Sequence, residues 1–126
     1  MAVVLRCSSR TREVDLSGSR GSVAQAADLF FCTGGRVETE LTDPAPYETC
    51  LRALEVRVTG GEVVVDVVDQ ELVVSGGAEH LAVLGEVLRD LAEEADFDHH
   101  VHVDHFPGHH HLAEESWPLV VQVTEA

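Results

Sequence analysis

The stretch that most constrains how this chain folds is residues 51–76, "LRALEVRVTGGEVVVDVVDQELVVSG". Its valines and leucines fall on every second residue, the period at which side chains of a strand share one face. Gly60-Gly61 reads as a two-residue hairpin turn and Asp69-Gln70 as a second tight turn. A meander built on them pairs Val58 with Val63, Val56 with Val65 and Leu54 with Val67. It then sets Val67 opposite Leu72 and Val65 opposite Val74. One apolar set, Leu54, Val56, Val58, Val63, Val65, Val67, Leu72 and Val74, lands on one face, and a slip of one residue would expose all of it. The opposite face is half apolar, with Val64, Val68 and Val73 beside Glu55, Arg57 and Asp66. A loop covers it, or a partner does, a homodimer through this outer sheet face being one form of partner.

A helix follows in "AEHLAVLGEVLRDLAEEA", where Leu81, Leu84, Leu88, Leu91 and Ala95 recur at spacings of three and four and supply a stripe to cover the meander. After it, "HHVHVDHF" and "PLVVQVTE" read as two further strands, joined by a loop from about Pro107 to Pro118. The N-terminal third is a fainter copy. "VDLSGSRGSVAQAADLF" aligns with "LVVSGGAEHLAVLGEVL" at an offset of 58, setting Ser17-Gly18 on Ser75-Gly76, Val23 on Leu81 and Phe30 on Leu88. This half-repeat spans 1–33 and 51–96, with a polar, turn-rich loop over 34–49 between. The expectation is an α+β fold: a mainly antiparallel sheet of about seven strands, two helices on one face, and an internal strand-strand-helix duplication.

At 126 residues, with 44% hydrophobic and 25% charged residues, the chain reads as a single domain, 1–126, able to bury its own core. No apolar run reaches the roughly 18 residues of a membrane span, and "MAVVLRCSSRTR" lacks a signal-peptide pattern. Cys7, Cys32 and Cys50 are scattered without metal-type spacing, which points to reduced thiols and a cytoplasmic setting. Charge is uneven. There is no lysine; residues 1–36 carry five Arg against three acids, while 37–126 carry three Arg against twenty, for a total of −15. Such a surface repels nucleic acid and anionic membranes and favours a basic protein partner. The acids concentrate on the helix and its exit: Glu86, Asp90, Glu93, Glu94, Asp96 and Asp98. Like charges four apart, as in Glu86–Asp90 and Asp90–Glu94, oppose helix stability, as do acids near a helix C-terminus. This ridge is the expected partner-binding surface, with a merely solvated acidic face as the alternative.

Seven of the eight histidines lie within residues 99–111, "HHVHVDHFPGHHH". On a strand His100, His102 and Asp104 share one side, a ladder that offers two imidazoles and a carboxylate to Zn²⁺. No second cluster such as HExxH or CxxC closes the site, so these three are weak metal candidates. The histidines could also respond to protons, since full protonation moves the formal charge from −15 to −7. A plain strand and loop is the third reading. No GxSxG elbow, Cys–His signature or phosphate-binding glycine loop frames a catalytic centre, and no cofactor is expected.

The strand–Ser-Gly–helix unit, the H-x-H strand ending in "FPGH" and the closing "LAEESWPLVV" resemble the thirty-second immunity-protein family of bacterial polymorphic toxin systems. The resemblance covers about residues 43–124, and that family is one of small actinobacterial proteins. It implies an immunity protein that neutralises a cognate toxin by tight binding, without catalysis and without catalytic residues to carry over. Within that family the "FPGH" run would be a sheet-to-loop signature, which favours the plain strand and loop. The competing function is a metal- or proton-responsive binding module built on residues 99–111.

Overall fold

A computed structural model describes residues 3–8, 10–31, 34–42, 47, 49–94, 100–103 and 116–125. They form β1 (Val4–Ser8), β2 (Glu13–Ser19), α1 (Arg20–Asp28), β3 (Gly34–Glu38), β4 (Thr49–Leu51), β5 (Ala53–Val58), β6 (Val64–Val68), β7 (Glu71–Gly76), α2 (Ala78–Glu94), β8 (His100–Val103) and β9 (Leu119–Glu125). The fold is α+β, as expected, and most strand pairs are antiparallel. The described strands divide between two sheets, ordered β4-β1-β2-β9-β8 and β3-β5-β7-β6. Segment 34–49, read from sequence as a loop, opens with strand β3, which pairs antiparallel with β5. Gly34-Gly35 weakened its strand signal.

The meander is corrected in one respect. β6 and β7 pair as expected, with Val67 opposite Leu72 and Val65 opposite Val74. β5 and β6 do not pair: β7 lies between them, parallel to β5, with Leu54 opposite Leu72 and Val56 opposite Val74. Gly60-Gly61 is therefore no hairpin turn. Residues 59–62 carry the chain across the end of β7, where Thr59 N donates to Gly76 O at 2.8 Å and Gly77 N to Gly61 O at 3.0 Å. Inserting a strand keeps the parity of the pattern, so the apolar face stays where it was expected. Leu54, Val56, Val63, Val65, Leu72 and Val74 are all buried, while Val58 at the rim is 41% exposed.

Residues 4–28 and 64–94 share one strand-strand-helix arrangement, which leaves residues 51–58 outside the second unit. β1/β2 and β6/β7 are hairpins of identical register: Val4↔Ser17 to Ser8↔Glu13 in one, Val64↔Ser75 to Val68↔Glu71 in the other. The offset is 58 along the second strands and 60 along the first, because the first hairpin has a turn two residues longer. The equivalence continues outward. β9 runs parallel to β2 with Leu119 opposite Val14, as β5 runs parallel to β7 with Leu54 opposite Leu72. β8 pairs Val103 with Leu119, as β3 pairs Val37 with Leu54. Each half of the chain is thus a hairpin, a helix and a return pair, and the helix carries the chain into the other sheet. Each sheet takes its hairpin from one half and its return pair from the other, with β4 added at one edge.

The inner faces of both sheets and both helices share one core, which includes Leu5, Leu16, Leu54, Leu72, Leu81, Leu88 and Val121. α1 starts at the end of β2, where Ser19 Oγ accepts from Ser22 N at 3.2 Å, an ordinary N-cap. The helices pack on each other, α1 also on β2 and β9, α2 on β9 and β7. Residues 116–118 tie the sheets together. Ser116 Oγ accepts from Val65 N and donates to Val63 O, Trp117 N donates to Val65 O, and Val14 N donates to Pro118 O.

Candidate functional site: the acidic face of the helix pair

α2 turns Leu81, Leu84, Leu88, Leu91 and Ala92 into the core. What remains outward is a stripe at spacings of four and three: Glu79, Val83, Glu86, Asp90 and Glu93, all exposed. Three of the expected ridge residues, Glu86, Asp90 and Glu93, therefore lie in line. Glu94 closes the helix, and Asp96 and Asp98 lie outside the described residues. Glu79 extends the stripe one heptad towards the N-terminus; continuing the spacing back from Glu86 would have found it.

Arg89, the cation nearest the ridge in sequence, is engaged elsewhere. Its guanidinium lies 4.1 Å from the centre of the Phe31 ring and 3.2 Å from Asp28 Oδ1, at the C-terminal end of α1. The helices meet closely here, since a Cβ on Gly85 would fall 2.8 Å from Phe30 Cβ. Glu79, Glu86, Asp90 and Glu93 take part in none of the ion pairs of the described residues. α2 has no basic residue in its last turn; Arg20, from the start of α1, donates to Ala92 O at 2.9 Å and supplies a positive charge at that helix end. The fold thus compensates the dipole and leaves the ridge uncompensated. Asp28 and Phe31 were not among the expected site residues, because their place against Arg89 follows from helix pairing; Val83 stands in the stripe by the spacing of α2 itself.

The outer faces of the two sheets differ. On the five-stranded sheet Asp15 is 3% exposed and Ser17 4%, although both lie on the outer side. Arg6 reaches Asp15 Oδ2 at 3.2 Å, and the Tyr47 ring lies 6.0 Å from the Arg6 guanidinium. The Tyr47 hydroxyl donates to Glu13 at 2.9 Å. Burial pushes the Asp15 carboxyl up from its usual range against the pull of Arg6, and burial with the Glu13 bond pushes Tyr47 up to about 12. The equivalent face of the four-stranded sheet carries a network of charges. There Arg36 pairs with Glu55 and Glu71, Arg52 with Glu71 and Arg57 with Glu55. The Arg36 hydrogen bond holds Glu71 below its usual range. Val73 is buried beneath this network and Val68 is 47% exposed, so the half-apolar outer face is in part covered by its own ion pairs.

β8 confirms a strand through His100 and His102, which occupy the register positions opposite Gln122 and Val120. Asp104, His99 and His105–His111 lie outside the described residues, and with them the proposed metal ladder as a whole. Among the described residues no three His, Cys, Asp or Glu side chains converge as metal ligands, and no helix is long and apolar enough to cross a membrane.

The model of a protein family described as Immunity protein 32 matches residues 71–124. This segment runs from β7 through α2 and β8 to β9, and is similar to the family that the Ser-Gly–helix unit and the closing strand resemble. It contains the whole acidic stripe. No curated protein and no solved structure matches the chain.

Proposed function

We propose that the chain is an immunity protein of a bacterial toxin system, a cytoplasmic, non-catalytic binder that neutralises a basic toxin domain through the acidic face of α2. The observation that carries this reading is the stripe Glu79, Glu86, Asp90 and Glu93, exposed and outside every described ion pair, within the segment similar to Immunity protein 32. Like charges at i,i+4 cost a helix ~0.2–0.5 kcal/mol per pair, so local stability does not account for the stripe. A basic partner does: it converts the repulsion into complementarity, which acts chiefly on encounter rate and specificity. Glu94, Asp96 and Asp98 extend the same surface in sequence.

The test pairs the chain with a basic toxin domain taken from a neighbouring gene. Co-expression of this chain rescues growth, and the purified pair associates quickly at low salt. The variant Glu86→Gln/Asp90→Asn/Glu93→Gln/Glu94→Gln keeps the fold but associates several-fold more slowly at low salt, with a flatter salt dependence. An unchanged rate and salt slope would move the docking surface to the outer face of the four-stranded sheet.

A further inference from the structure

We infer that this chain forms a closed two-fold dimer with a second copy of itself by exchanging halves about the segment 59–62. The partner each half fits is already visible within one molecule. Residues 3–58 supply β1 and β2 to one sheet and β3 and β5 to the other, and residues 63–125 supply β8 and β9 to the first and β6 and β7 to the second. Neither half holds a complete sheet. At both seams the contact between halves is a parallel strand pair in the interior of a sheet: β2 with β9, and β5 with β7. A second copy carries the same residues in the same register, so its half makes every one of these contacts without alteration.

Covalently, only residues 59–62 join the halves, and all four are exposed. In the closed monomer they must carry the chain past β7, from one side of it to the other, a lateral distance of about 10 Å at the usual strand spacing. Two hydrogen bonds hold them there, Thr59 N to Gly76 O and Gly77 N to Gly61 O. When the segment straightens, residues 63–125 leave for the other copy, and the same core is rebuilt twice. Exchange of identical elements about a short hinge is a low-cost route to dimers. Both helices stay paired in each rebuilt globule, so the dimer carries two acidic faces.

The experiment uses the full chain with Arg57→Cys and Ser75→Cys, which oppose each other across the seam between β5 and β7, and single-cysteine variants as controls for the native thiols. The protein is unfolded, refolded at high and at low concentration, oxidised and separated by size. In the exchanged dimer the disulfide joins two chains, and the dimer survives a denaturing gel without reductant. In a monomer, or in a dimer of unexchanged globules, the bond is internal and the gel shows single chains. Deleting Gly60 and Gly61 leaves three peptide units to span the crossing, close to their full reach of roughly 11 Å, and shifts the population towards the linked dimer. Linked dimers at high concentration support the inference. Their absence from the double-cysteine chain with the natural hinge, or dimers whose disulfides are all internal, overturns it whatever the deletion variant does.

Discussion

Asp69 and Gln70 join β6 to β7 with φ of 52° and 64°, both in the left-handed region although neither is glycine. An L-residue there gives up about 1–2 kcal/mol relative to the right-handed form. Gln70→Gly should therefore raise unfolding free energy by about 1 kcal/mol, read from the midpoint of urea unfolding at unchanged slope. A lowered midpoint would show that the Gln70 side chain contributes more than its backbone costs. Asp15 behaves in the opposite sense to a solvent-facing acid. Its folded carboxyl titrates above its unfolded value of 3.8, so the folded state holds the proton longer. Stability attributable to the neutral acid is present below the unfolded value and is lost as pH rises through the folded one. The stability of the natural chain minus that of Asp15→Asn should accordingly fall with rising pH across that window and level off above it. A difference that grows with pH would mean that Arg6 outweighs burial.

At the scale of elements, the repeated Ser-Gly has a packing reason in both copies. Gly76 ends β7 against the strand entering β6, where a Cβ would fall 2.9 Å from the Val63 Cα. At the equivalent Gly18 the nearest atom is the Ser22 hydroxyl at 2.4 Å, with the Val3 Cα at 3.4 Å. Backbone cannot turn away and a hydroxyl can. Gly76→Ala should thus cost about 1–3 kcal/mol, the usual range for overpacking, and Gly18→Ala less. Thermal unfolding of the two variants side by side checks the order, and equal losses would mean that Ser22 is locked by its bonds to Ser19. The acidic stripe also belongs to this scale: α2 alone sets its spacing, while Arg89 is drawn away from it only because the end of α1 and the turn after it present Asp28 and Phe31.

For the whole molecule, the interlocked halves predict how a cut chain behaves. With a protease site placed between Gly60 and Gly61 and then cleaved, the two fragments should elute as one species in native buffer and separate only in denaturant. At concentrations where the uncut chain is monomeric, cleavage should make unfolding dependent on concentration, because a unimolecular equilibrium has become a bimolecular one. Fragments that separate in native buffer would show that the seams β2–β9 and β5–β7 contribute less than their central position implies. Two sheets joined in this way also account for the burial of both inner faces in one core shared with the two helices.

Periodicity by itself determined that residues 51–76 are strands, which face of each is buried, that 78–94 is a helix with Leu81, Leu84 and Leu88 inward, and that Glu86, Asp90 and Glu93 face out. These are properties of one element against an apolar environment, and a repeat of 2 or 3.6 residues states them without reference to any neighbour. Tertiary structure alone decided which strands are neighbours. A strand pattern carries parity but no address, so β5 meeting β7 and β5 meeting β6 are written identically in sequence. The glycine pair could mark either a hairpin or a crossing. β3 was missed because Gly34-Gly35 carries no side-chain signal, and its strand exists only because β5 offers it an edge. The faint 58-residue offset contained the duplication but not the exchange, since only the direction each helix takes on leaving its sheet determines where the following strands pair.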